Sequence, residues 1–418
     1  MSLWQLNRRG WQSLGHLGSA GLQWLADRNV VDGAKDATSG ISLDRSFLIA
    51  LLALLSIGLV MVASATLGMG DSAAAGRGLL IRQSGAVVVG LIAMAVLLMV
   101  PLRHFVALRN VILIASILSL AVLFIPGVAH TVNGATRWID LGFVRVQVSE
   151  FARLGMIVWM AAYLGVHLEK VQTRIRGMAA PVGVIMLAST LLLLQPDYGN
   201  TLVLGATLFA MAWLMRAQLQ TMLMLMVAGG ALAVVGVFSA QYRVDRLLSF
   251  SNPFADPFGD GYQLVNALIA IGTGGLFGRG LGESVQKLAY LPEAHTDFIF
   301  AVYAEEFGLF GVIALLGLYG VLVWRGFVIA RMAWAVNHYT GAALAWGIST
   351  WIGMQALINM GVNMGLLPTK GLTLPLISYG GSAIVATLLA MGLILRVHHE
   401  ASRALADAGI EDVREVTR

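Results

Sequence analysis

The feature that most constrains this chain is the recurrence of uncharged apolar runs about 20 residues long, the length a helix needs to cross roughly 30 Å of hydrocarbon at 1.5 Å per residue. Ten spans are predicted: Ser46–Thr66, Gln83–Val100, Asn110–Ala129, Val148–Val166, Met178–Gln195, Gly199–Met215, Gln218–Ala240, Phe298–Trp324, Gly341–Leu366 and Leu374–Leu395. Only 12% of residues are charged and 58% are hydrophobic, whereas soluble domains carry roughly 25% charged residues. The expected fold class is therefore an all-α integral membrane protein of about ten transmembrane helices.

An even number of spans puts both termini on one side, and basic residues mark the cytoplasmic side. With the termini inside, the inner segments hold 17 lysines and arginines and the outer segments 9, with Arg153 left within a span. Residues 1–45 are then a cytoplasmic tail, 46–397 the membrane domain and 398–418 a second cytoplasmic tail. The first tail is too polar and too long for a cleavable signal peptide. Trp4, Trp11, Leu14, Leu22 and Leu25 line one face of an interfacial helix, with Arg8, Arg9 and Arg28 directed at lipid headgroups, unless the tail is unstructured. The basic residues gather beside spans, which suits membrane lipids and not nucleic acid.

The longest connection, residues 241–297 between the seventh and eighth spans, faces outward on this topology. Loops of such length are usually functional or disordered. This one alternates apolar stretches with glycine clusters, as expected of a segment folded against the membrane. It ends in Leu291 to Asp297 (LPEAHTD), where His295 and Asp297 stand at the lip of the eighth span. Asp297 has two readings, a helix N-cap or a site carboxylate.

Ionisable groups inside spans are costly, and each is a functional candidate. Glu150 and Arg153, three apart on one helix, form either a structural ion pair or a site at the outer mouth beside Gln147 and Ser149. Glu305 and Glu306 call for partners. Gln195, Pro196 and Asp197 occupy a short outer turn. The run Gly272 to Gly282 (GTGGLFGRGLG) is read as tight turns; as a phosphate loop with Arg279 it lacks the Lys-Ser/Thr ending and the preceding strand. Between Leu366 and Ser382, Pro368, Pro375, Gly380 and Gly381 interrupt an apolar stretch. Non-helical backbone at membrane depth survives only where protein or water satisfies it, so Ser378, Tyr379 and Ser382 are expected to line a polar cavity under the outer loop.

With no cysteine in the chain, disulfides, thiolate metal sites and cysteine nucleophiles are excluded. Oxygen and imidazole groups are left as ligands for any metal.

Pro292 to Phe300 (PEAHTDFIF), Leu367 to Ser382, Arg137 to Gly142 (RWIDLG) and the Gln195–Asp197 turn together resemble the signatures of the SEDS family of peptidoglycan glycosyltransferases, over nearly the whole chain. Thr369, Lys370 and Ala294 are similar to the division branch of the family and differ from the elongation branch. The family usually has proline at the position of Val148 and lysine at that of Arg153.

The resemblance implies polymerisation of lipid II at the outer face of the plasma (inner) membrane, at the septum, with Asp297 matching the essential aspartate. It also implies partnership with a class B penicillin-binding transpeptidase and with division-site membrane regulators. A lipid diphosphate leaves readily once its charge is neutralised, so one carboxylate suffices, as the base toward the sugar 4-hydroxyl. Arg137, Arg243, Arg246, Arg279, Lys370 or a divalent cation are candidates for the substrate's charge, and Gln147, Glu150, Arg153, His295, Ser378 and Ser382 for further substrate contacts. A lipid II flippase and a noncatalytic division scaffold are the competing functions.

Overall fold

The computed structural model describes residues 41–67, 73–127, 129–132, 135–140, 142, 145–238, 250, 252–259, 261–288, 290–368 and 371–408. The expected interfacial helix and the candidates Arg243, Arg246 and Lys370 lie outside the described residues.

The chain runs α1 (Arg45–Leu67), α2 (Ala73–Met99), a short α3 (Leu102–Ala107), α4 (Arg109–Val122), β1 (Ala129–Val132), β2 (Ala135–Asp140), β3 (Arg145–Gln147), α5 (Val148–Val166), a short α6 (Leu168–Thr173) and α7 (Ala179–Leu194). It continues through α8 (Tyr198–Leu214), α9 (Leu219–Phe238), α10 (Tyr262–Gly274), α11 (Ile299–Ala335), α12 (Tyr339–Asn363) and α13 (Gly381–Asp407). Each of the ten expected spans has its helix, and α5 coincides with its span at both ends. Among the described residues six helices are long and apolar enough to cross a membrane by length and composition, and three more are shorter apolar helices. α5 completes the ten despite its buried Glu150 and Arg153.

The helices surround α12 and α13, which are buried along most of their lengths. α5, α8 and α11 pack on α12, and α2 runs against α13. Side chains such as Ile49, Ile92, Ile114, Leu187 and Ile313 point outward. In water this would be a liability; in a bilayer it is the lipid-facing surface.

Two departures from an all-helical chain position the site. α4 stops at Val122 because the chain turns into an antiparallel three-stranded sheet, order β1-β2-β3. Trp138 faces Gln147 in its register, and β3 leads directly into α5. The last helix starts at Gly381 and not at Leu374, since the segment 371–380 is an irregular inward fold whose backbone is satisfied by neighbouring helices. Gln355 Nε2 donates to the Thr373 carbonyl at 2.9 Å, Asn359 Nδ2 to that of Leu372 at 2.6 Å, and the Tyr319 hydroxyl to that of Pro375. Gly58 on α1 admits the segment: a Cβ there would stand 2.2 Å from the Leu376 oxygen.

α11 is broken at Gly308, whose φ of 63° lies in the left-handed region. The glycine-rich run fills the break: the N–H groups of Arg279 and Gly280 donate to the carbonyls of Glu305 and Glu306 at 3.0 Å each, and Leu309 and Phe310 donate to Gly275 and Leu276. The turns expected there are thus also a clamp. A Cβ on Gly308 would meet the Gly278 nitrogen at 2.3 Å. Gly308→Ala is expected to cost roughly 2–5 kcal/mol from the left-handed strain and forced displacement together, read as a fall in the melting temperature of the detergent-solubilised protein.

α1 and α11 are joined at both ends. Asp44, just before α1, forms a fully buried ion pair with Arg325 and accepts from the Phe47 N–H at 2.8 Å, capping the helix. At the other end the Ser64 hydroxyl donates to Glu306 Oε1 at 2.6 Å.

Candidate active site

Asp297 does not cap α11. The N-cap is Phe298, without a side-chain hydrogen bond, so the capping reading is set aside. What holds Asp297 is its main chain: the carbonyl accepts from Asn359 Nδ2 at 2.9 Å and Asn363 Nδ2 at 3.0 Å, and Asn363 Oδ1 accepts from the Ala301 N–H. The two asparagines, one turn apart on α12, were not singled out in the sequence. Polar residues spaced i,i+4 on an apolar span are the signal that marks them.

The carboxylate sits in a partly open recess. Among the described residues it accepts no hydrogen bond. Gly371 forms part of the wall, and a Cβ there would come within 3.0 Å of Asp297 Oδ2. Burial pushes the Asp297 pKa up to about 7, Glu293 adds to the rise and Arg137 opposes it. Burial lowers the pKa of His295 against the pull of Glu293, which favours its neutral ring.

The segment 371–380 is stitched to the loop that carries Asp297. Ser378 Oγ donates to the Thr296 carbonyl at 2.6 Å and accepts from the Leu374 N–H at 2.7 Å. The Tyr379 N–H donates to the His295 carbonyl at 2.9 Å, and the two rings lie 5.6 Å apart. Ser378 and Tyr379 thus tie this segment to the residues that precede Asp297.

A polar chain links β3, α5, α8 and the start of α13. The Gln147 N–H donates to Ser382 Oγ at 2.9 Å, and Gln147 Nε2 to Ser149 Oγ at 3.3 Å. Asn200 Nδ2 donates to Ser149 and, at 2.8 Å, to Asp197 Oδ2, while Asp197 caps α8. Glu150 and Arg153 form a buried ion pair. Arg153 also donates to Asn200 Oδ1 at 2.7 Å, and its guanidinium lies 4.5 Å from the centre of the Trp351 ring. Of the two readings of this pair, the structure shows the ion pair. Arg137 reaches across from β2, donating to the Pro196 carbonyl at 2.7 Å and standing 3.7 Å from Asp197 Oδ1. It is the described arginine whose charge is felt at Asp297.

Arg279 is elsewhere, 3.2 Å from Glu305 at the helix break. Among the described residues no group of three or more His, Cys, Asp or Glu side chains could hold a metal, and Asp297 alone does not make a resident metal centre.

A family model described as "Cell cycle protein", covering FtsW, RodA and SpoVE, matches residues 45–403. The chain belongs to the SEDS family. Among its SEDS relatives, a probable peptidoglycan glycosyltransferase FtsW from Halothiobacillus neapolitanus is 62% identical over 91% of this chain and 92% of its own length. One of the same description from Legionella pneumophila is 43% identical over 89% of this chain and 95% of its own. The fold agrees with solved SEDS structures. A chain from a peptidoglycan synthase complex that coordinates polymerisation and crosslinking superposes with a TM-score of 0.71 at 32% identity, covering 86% of this chain and 99% of its own. Thermus thermophilus RodA, a rod shape determining protein, gives 0.64 at 31% identity, covering 86% and 98%.

Proposed function

We propose that this chain polymerises lipid II into glycan strands during septal cell-wall synthesis, with Asp297 as general base. The observation that carries the proposal is the Asp297 carboxylate, unbonded among the described residues and held near pKa 7 by burial, where a base combines an ionised fraction with useful proton affinity. Asp297 draws the proton from the 4-hydroxyl of one sugar as that oxygen attacks the anomeric carbon of the other. The bond to the lipid diphosphate breaks and the electron pair leaves with the phosphate. Arg137 is placed to offset that charge, with Arg243, Arg246 and Lys370 as further candidates. Gln147, Glu150, Arg153, Ser378 and Ser382, bonded to each other and to the backbone, hold the walls.

The relatives' description and the synthase-complex neighbour support this reading, and they support a class B transpeptidase as partner. The excess of basic residues in the inner segments supports cytoplasmic termini, with Asp297 on the outer side of the plasma membrane.

The decisive experiment incubates purified protein and lipid II, with and without the transpeptidase, on a gel that resolves glycan strands. Strands are expected from the wild type. Their absence from folded protein with its partner would overturn the assignment, leaving lipid II transport or a scaffold role. The rate should rise with pH through about 7 as Asp297 ionises. Because Glu293 raises that pKa, Glu293→Gln should move the midpoint of kcat/KM to lower pH.

A further inference from the structure

Three groups near the break in α11 have no role in the chemistry above: Glu305, Glu306 and Lys287, all buried. Residues 299–307 form a short rod, with Asp297 just before its start and Gly308 at its end. Its far end is bound to the outer loop by side chains as well as backbone. Glu305 accepts from Ser284 Oγ at 2.6 Å, from the Val285 N–H at 3.2 Å and from Arg279 Nη1 at 3.2 Å. Lys287 Nζ lies 2.9 Å from Glu306 Oε1, 2.9 Å from Ser64 Oγ on α1 and 2.7 Å from the Gly282 carbonyl. The loop then returns to Asp297, its path set by the Leu291 N–H bond to the Gln286 carbonyl.

We propose that Lys287, with Glu306 and Ser64, is a positioning unit that sets the axial register of this rod and thereby the placement of the Asp297 carboxylate. At Gly308 the rod lacks the axial hydrogen bonds of a continuous helix, and the outer loop supplies them instead. The two carbonyls exposed by the break are held by the loop backbone, and the Lys287 ammonium joins rod, loop and α1 at one point. Displacing the loop loads the rod axially, and the load falls on the bonds that hold Asp297 to Asn359 and Asn363 and its loop to the segment 371–380. The chemistry of a buried ammonium suits this role: it attracts from several directions at once, and leaving either charge unpaired there is costly.

The inference rests on the glycosyltransferase reading, and wild-type strand formation in the same assay tests that reading separately. Lys287→Met/Glu306→Gln removes both charges together and leaves none stranded. In folded protein it is expected to lower kcat more than about 10-fold, hold KM for lipid II within about 2-fold, and shift the pH midpoint down as Asp297 becomes better solvated. Lys287→Arg should restore most of kcat. Ser64→Ala, the mildest change, should show the same shift in smaller measure and decides the matter where the double variant does not fold. An unchanged kcat and pH midpoint in the folded double variant, or in Ser64→Ala when the double variant is lost, would overturn the proposal.

Discussion

Asp297→Asn is expected to reduce glycan polymerisation by about 10²- to 10⁴-fold, the range for loss of a positioned general base, with no loss of stability. The substitution is isosteric. It leaves the carbonyl bonds to Asn359 and Asn363 intact and removes no cap, since Phe298 occupies that position. The carboxylate accepts no hydrogen bond among the described residues, so no fold contact is lost, and because burial disfavours its ionised form the melting temperature at neutral pH is expected to hold or rise. Residual activity in the variant should no longer rise across pH 7. Strand formation at the wild-type rate by folded Asp297→Asn would assign the base to another group.

The largest stability effect is expected at the opposite end of the bundle. Asp44→Asn leaves the Arg325 guanidinium fully buried without a counter-charge, and breaking such a pair from one side costs about 3–5 kcal/mol. The asparagine oxygen can still cap α1 at the Phe47 N–H, so the loss reports the charge and not the cap. Asp44→Leu combined with Arg325→Met should recover much of the stability, because an apolar pair of similar volume often does as well as a buried ion pair. Thermal unfolding in detergent measures both, and a double variant no better than the single would place the cost in lost capping and packing instead.

The spans were legible because hydropathy integrates over many residues, and the agreement at Val148 and Val166 reflects a helix flanked by polar residues, Gln147 before it and His167 after it. The prolines and glycines between Leu366 and Ser382 mark the non-helical backbone found there, whereas the expected start of the last span at Leu374 lies too early, because apolar side chains report burial and say nothing about backbone path. Its hydrogen bonds go to Gln355, Asn359 and Tyr319, partners that no local window contains. The short strands escaped because so few residues carry no clear alternation.

Asp297 was visible as a carboxylate at a helix lip, yet its freedom from capping depends on α11 beginning at Ile299 and on Asn359 and Asn363 from α12. The glycine run between Gly272 and Gly282 is legible as turns from Gly275 onward, its first three residues ending α10. That these turns seal a broken helix could not be read, because Gly308 lies inside an apolar stretch where glycine is unremarked.

The joined pair α1 and α11 carries a consequence for the lipid around it. Asp44, immediately before α1, and Ser64 within it are twenty residues apart, about 30 Å at 1.5 Å per residue, which matches the hydrocarbon thickness of an ordinary bilayer. Polar links to α11 at both ends prevent the two helices from sliding past each other to shorten or lengthen this distance. In a thicker or thinner membrane the bilayer must stretch or pinch around the protein, or the whole bundle must tilt. Acyl-chain length is thereby a control on how far the Asp297 recess stands from the headgroups where a lipid-linked substrate presents its sugars.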